Sequence, residues 1–285
     1  MHILVATDFS ARSDRALRRA ALLARKLGGR ITLAHVLDND RPESVIAADR
    51  AAAGEWLSDT AGTLRDVDGI EADWRVPVDD VHAGILAAAD DVAADLIVVG
   101  PHRSRLRDVF VGTTVERVVR RSVRPLLVAV DAPKAQHRRT LLAMDFDDAS
   151  KFAARQALAM GLFDQTSVTV MHAFDAPAAH MMRRTFEPGT EVQRYVDSEE
   201  RAAMAELASL RDELALPPTS QLVAALIGSP ARTIREAARE EESDLIVLGT
   251  NQRNGFERAL IGSVTADVIR DAHCDILVIP VDPAG

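Results

Sequence analysis

One pattern occurs twice in this chain, and that repetition constrains its folding more than any other feature. Ile3-Leu4-Val5-Ala6-Thr7-Asp8-Phe9 returns as Thr140-Leu141-Leu142-Ala143-Met144-Asp145-Phe146, 137 positions later. His35, which ends Ile31-Thr32-Leu33-Ala34-His35, is matched at the same offset by His172 after Val168-Thr169-Val170-Met171. Asp95-Leu96-Ile97-Val98-Val99-Gly100 then meets Asp244-Leu245-Ile246-Val247-Leu248-Gly249 at offset 149, and Gly112-Thr113 meets Gly262-Ser263 at offset 150. Four ordered matches whose offset changes only between landmarks imply two copies of one unit, each near the usual size of a domain. The join falls in Asp131 to Gln136, where Pro133 separates two apolar runs, so the expected domains are 1–133 and 137–285.

Within each copy, short apolar runs alternate with longer segments of helical period. The runs are 2–6, 31–36, 72–76, 95–99 and 126–130, then 140–144, 167–172, 221–226, 244–248 and 275–280. Most are continuous rather than alternating, as strands covered on both faces are; 72–76, with Asp73 and Arg75, suits an edge. Ala16, Leu17, Ala20, Leu23, Ala24 and Leu27 form one helical stripe that opens at Ser10 or Ser13 and stops at Gly28-Gly29. Longer helices are expected over 43–65 and 190–214. The fold class is α/β: two tandem, doubly wound, parallel five-stranded sandwiches with right-handed crossovers.

Charge narrows the partners. The chain carries 34 basic and 43 acidic residues, net −9. The first copy is near neutral and the second carries most of the excess. A polyanion binder normally shows a basic surplus, so nucleic acid is not an expected partner. The single Cys274 allows no internal disulfide and suits a reducing compartment. No apolar run approaches a membrane span and no leader pattern opens the sequence, so a cytoplasmic location is expected.

In an open parallel sheet, ligands sit beyond the carboxyl ends of the strands where strand order reverses. Three segments of each copy reach that edge: the turn at Asp8 or Asp145, the strand end at His35-Val36 or His172-Ala173, and the loop after Gly100 or Gly249. In the second copy that loop closes with Gly262-Ser263 opening a helix, which offers backbone N–H groups, a hydroxyl and a positive helix end to an anion such as phosphate.

These residues resemble the universal stress proteins in a tandem two-domain form. Ile-Leu-Val-Ala with Asp8-Phe9-Ser10, Gly228-Ser229-Pro230 leading to Asp244-Leu245-Ile246-Val247, and Gly262-Ser263-Val264 carry the resemblance, which spans nearly the whole chain. It implies an adenine-nucleotide alpha-hydrolase-like sandwich of strand order 3-2-1-4-5, and ATP as cofactor where the motif G-x2-G-x9-G-[ST] is kept. Transferred by position, the resemblance implies Asp145, Ala173, Gly249, Gly262, Ser263 and Val264 as nucleotide contacts in copy two. In copy one it implies Asp8, Val36, Gly100, Gly112, Thr113 and, less directly, Thr114. Gln252 and Arg103 stand where the motif has its second glycine. Copy two keeps the nine-residue spacing and is the first expected ATP site. Arg253 and Arg258 there, and Arg103, Arg105 and Arg107 in copy one, can pair with phosphate oxygens instead.

Plainer roles compete with these. Asp8 and Asp145 can cap helices, His35 and His172 can be packing residues, and Cys274 a small core hydrophobe. Met181-Met182 suits flexible surface packing. His82 and His102 lack partners at ligand spacing, so no metal is expected. No G-x-G-x-x-G, G-x4-G-K-[ST], G-x-S-x-G or H-E-x-x-H occurs, which disfavours dinucleotide dehydrogenases, Walker-type NTPases and the simplest hydrolases. A stress-response protein that binds ATP without turning it over is the expectation. A stress adaptor with degenerate sites and an unknown protein partner, or a slow ATPase, are the alternatives. The resemblance also implies pairing through fifth strands, here 126–130 and 276–279, as an internal pseudo-dimer or a homodimer.

Overall fold

The computed structural model of the chain describes residues 1–101, 113–175, 190–216, 219–226, 228–251 and 262–281. The first half runs β1 (His2–Ala6), α1 (Ala11–Leu27), β2 (Arg30–Ala34), α2 (Glu43–Asp66), β3 (Ala72–Arg75), α3 (Val81–Asp91), β4 (Leu96–Val99), α4 (Thr114–Arg121) and β5 (Leu126–Val128). The second repeats it as β6 (Arg139–Met144), α5 (Asp148–Ala159), β7 (Ser167–Phe174), α6 (Thr190–Glu213), β8 (Ser220–Ala225), α7 (Pro230–Glu240), β9 (Leu245–Asn251), α8 (Ser263–Arg270) and β10 (Asp275–Val281). Among the described residues these are the ten strands and eight helices expected from the alternation.

Local chemistry sets the helix ends. Ser10 is the N-cap of α1, its side chain accepting from Ser13 N–H, and Gly28 closes the helix in the left-handed conformation at φ 61°. Asp147 caps α5 in the same way. The capping role expected at Asp8 and Asp145 therefore falls two residues later, because each Asp still lies in the turn leaving its strand.

All strands share one sheet of order β3-β2-β1-β4-β5-β10-β9-β6-β7-β8. Each half has the order 3-2-1-4-5 and is parallel throughout. At the centre β5 and β10 pair antiparallel, Leu127 opposite Leu277, so the two sandwiches form one continuous layer rather than two separate ones. The apolar runs of the inner strands are continuous because each buries both faces, whereas the edge strands β3 and β8 are only partly buried. Ile3, Val5, Leu142 and Val247 pack under α1, α2, α5 and α6, whereas Leu4, Leu141 and Ile246 pack under α3, α4, α7 and α8. Each such fully buried Leu, Ile or Val contributes roughly 1.5–3 kcal/mol.

A buried polar cluster ties the halves together. Asp275, at the start of β10, receives Arg19 Nε at 2.6 Å, His137 Nε2 at 2.9 Å and the Val130 amide at 2.8 Å. All three side chains are buried. Arg19 comes from α1, and Val130 and His137 flank the join on either side.

Candidate functional site

The reversal of strand order in each half lies between its first and fourth strands, β1 and β4 or β6 and β9, and β1 hands the chain to α1 there through Thr7-Asp8-Phe9-Ser10. This turn is held by its own side chains. Asp8 accepts from the Ser10 amide at 3.1 Å, Thr7 Oγ1 accepts from the Phe9 amide at 3.1 Å, and Thr7 Oγ1–H donates to Ser13 Oγ at 3.0 Å. Phe9 is thereby driven to φ 58°, and Phe146 at the matching place in copy two to φ 65°. A non-glycine residue there costs about 1 kcal/mol.

The histidines offset that cost. Phe9 lies on the His35 ring at 4.1 Å between centroids, and Phe146 on His172 at 4.2 Å. His35 Nδ1 meets the Thr7 carbonyl at 2.8 Å, and His172 Nδ1 the Met144 carbonyl at 2.8 Å. A carbonyl only accepts, so each Nδ1–H donates to it. Both histidines pack against the phenylalanine of the turn that presents the carboxylate, and each hydrogen-bonds the backbone at the end of the first strand.

Gly100 follows β4 and Gly249 lies within β9, each where the first helix of its half passes close to the backbone. A Cβ on Gly100 would sit 2.7 Å from the Arg12 carbonyl oxygen, and one on Gly249 2.5 Å from that of Ala149. Both glycines are demanded by backbone packing, whatever else they do.

In copy one these segments enclose a cleft of about 480 Å³, lined by Asp8, Arg12, His35, Val36, Gly100 and Thr113 among others, with Thr114 at its rim. Asp8, Val36, Gly100, Thr113 and Thr114 thus meet around one cleft, while Gly112, like Arg103, Arg105 and Arg107, lies outside the described residues. The neighbours His35 and Leu37 give their amides to Arg75 and Pro77 on the β3 side. Alternation along the strand then turns the amide and carbonyl of Val36 toward β1 and the cleft. Thr113 is buried and is the N-cap of α4, accepting from the Glu116 amide at 3.1 Å. Arg12 and Ser13 are lining residues that sequence reading missed; Ser13 had a signal, since Ser150 repeats it at offset 137, whereas Arg12 is replaced by Ala149.

Copy two differs in its charge. Asp147 occupies the place of Ser10, so Asp145 accepts the Asp147 amide at 3.3 Å and faces a second carboxylate. Partial burial first, and the Asp147 carboxyl next, push the Asp145 carboxyl above the usual carboxylate range. Ala173 lies within β7, opposite Ala224 of β8. Gly262 is the N-cap of α8 without a side-chain cap, Ser263 is the first helical residue, both are exposed, and Val264 is half-buried. Arg253, Arg258 and Gln252, and in copy one His102, Arg103, Arg105 and Arg107, lie outside the described residues, as do Met181 and Met182.

Elsewhere, His82 Nδ1 contacts Asp80 and its Nε2 receives Arg121, an arrangement that joins α3 to α4. Among the described residues no three His, Cys, Asp or Glu side chains gather as a metal site, and no helix is long and apolar enough to cross a membrane.

A doubly wound parallel sandwich present twice in one sheet, with a ligand-sized cleft at the switch point of its first half, defines a tandem α/β sandwich protein. The sequence model of the universal stress protein family matches residues 1–130 and again 136–280. The chain belongs to the universal stress protein family. It is similar to Universal stress protein MJ0531 of Methanocaldococcus jannaschii, 28% identical over 144 residues covering 50% of this chain and 82% of the relative. It is also similar to a universal stress protein of Thermus aquaticus, 30% identical over 139 residues covering 49% and 96%. Among solved structures, a universal stress protein of Archaeoglobus fulgidus superimposes with TM-score 0.72 at 19% identity, covering 98% of both chains. The functionally unknown protein PA1789 of Pseudomonas aeruginosa does so with TM-score 0.66 at 20% identity, covering 99% of this chain and 92% of its own. At these identities the last two speak to fold, including its tandem arrangement.

Proposed function

We propose that this universal stress protein is a cytosolic sensor that binds an adenine nucleotide such as ATP in its N-terminal cleft, and that occupancy alters its interactions without turnover. The observation that carries the reading is the cleft itself. It joins a presented carboxylate (Asp8), a free strand-end backbone (Val36) and the N-terminus of α4 within about 480 Å³, inside the range that holds small ligands. The amide and carbonyl of Val36 and the Asp8 carboxylate suit a base and ribose, while the positive end of α4 and Arg12 suit phosphates. The first copy is preferred over the second, where the motif spacing places the expected site, because Asp147 adds a second carboxyl beside Asp145 where copy one has Ser10.

Equilibrium dialysis of labelled ATP against the whole chain tests this. Binding that Asp8→Ala weakens and Asp145→Ala leaves in place is the expected result. Absence of binding at millimolar ATP, or loss in Asp145→Ala alone, refutes the N-terminal assignment.

A further inference from the structure

A second cavity lies across the Thr7–Ser10 turn from the cleft, on the α1 and α2 side of the sheet. It encloses about 240 Å³. Its floor is Val5 and Leu33, both essentially inaccessible to solvent, its side is Leu17 of α1, and its mouth is Phe9 and Trp56. Trp56 stands edge-on to Phe9 at 4.7 Å between centroids. These two rings remain 45% and 39% exposed although burying an aromatic ring is among the largest gains open to a chain.

The polar groups around the cavity are already engaged. Ser10 hydroxyl donates to Asp8, Thr7 hydroxyl to Ser13, and Ser13 hydroxyl to the Ser10 carbonyl at 2.9 Å. Asp14 at the rim holds Arg18 at 2.9 Å. A polar guest gains little there, and Asp14 sets a negative charge against an anionic one. The size is also informative, since an apolar cavity of about 150 Å³ already admits benzene. Trp56 is not part of the repeated scaffold: matching the buried Leu57, Ala61 and Leu64 of α2 with Ala203, Leu207 and Leu210 of α6 puts Ala202 opposite it.

We infer that this cavity is a binding site for an uncharged planar aromatic molecule of one or two rings, seated on Val5 and Leu33 and held edge and face by Phe9 and Trp56. The site is separate from the nucleotide reading and stands without it. Saturation-transfer NMR on the whole chain, with indole, toluene and benzoate as probes, tests it. Indole and toluene saturate, and benzoate binds about tenfold or more weakly. Leu17→Trp, which fills the cavity, and Trp56→Ala, which removes its wall, each weaken indole about tenfold or more with the circular dichroism spectrum unchanged. Should Leu17→Trp not fold, Trp56→Ala decides alone, because its side chain is already half in solvent. A non-saturating indole signal, equal binding of benzoate, or undiminished binding in the folded variants overturns the site.

Discussion

At the scale of single residues, Gly100 and Gly249 show why a motif glycine can be read two ways. A methyl group on either meets backbone atoms of the crossing helix, which cannot rotate aside. Gly100→Ala and Gly249→Ala are each expected to cost about 1–3 kcal/mol, visible as a lower midpoint in urea. Asp145 carries a sign that can be checked. Its carboxyl is raised in the folded state, so the protonated form is favoured there; that contribution is complete below the unfolded carboxylate range and is lost as pH rises through the folded value. Asp147→Ser restores the copy-one arrangement and should lower the Asp145 titration midpoint, measured by carboxyl ¹³C NMR; an unchanged midpoint would assign the shift to burial alone. Cys274 is buried, and burial with the nearby Asp275 pushes its thiol up to about 12. It should therefore resist a disulfide reagent in the native protein and react quickly in guanidinium.

Among the elements, the helices that open beside the clefts differ in how they are stabilised. Thr113 caps α4 with its side chain, whereas α8 starts at Gly262 with no side-chain cap and Ser263 one residue inside. Thr113→Ala should cost about 0.5–2 kcal/mol, and Ser263→Ala distinctly less, in thermal unfolding of the two variants. The element boundaries of copy one were largely legible: Ser10, Gly28 and the apolar runs carry local signals that tertiary contacts reinforce. What the sequence hid was the use of Phe9 and His35. Nothing in Asp-Phe-Ser announces a left-handed Phe, because that conformation is imposed by the ring stacked beneath it and by the Thr7 and Asp8 hydrogen bonds.

Taken as a whole, the molecule depends on the Arg19–Asp275–His137 cluster. Burial alone would raise the Asp275 carboxyl, but the His137 hydrogen bond, Arg19 and the Val130 amide outweigh it and hold it below the usual range. The stability it supplies is present above the unfolded carboxylate pKa of about 4 and is lost as pH falls through the lower folded value. Asp275→Ala leaves Arg19 buried without its carboxylate, and a loss of about 3–5 kcal/mol is expected in denaturant titration at neutral pH. That loss should shrink in acid. Either half expressed alone would expose β5 or β10 as an apolar edge and should self-associate in light scattering; a monodisperse monomer would contradict this.

The repeat, the α/β alternation and the three segments that meet at the sheet edge follow from the sequence, because apolar period, helix stops and duplicated motifs are local or nearly local signals; the order of the strands and the individual contact residues come through the family resemblance. The tertiary structure alone decided the rest. It set the antiparallel register of the fifth-strand pairing that the resemblance implied, Leu127 against Leu277, which makes the two sandwiches one layer. It stacked Phe9 on His35 and Phe146 on His172, and joined the halves through Arg19, His137 and Asp275. It also opened an aromatic cavity under Trp56. Each of these depends on which distant atoms come within a few ångströms, and spacing along a chain does not encode that distance.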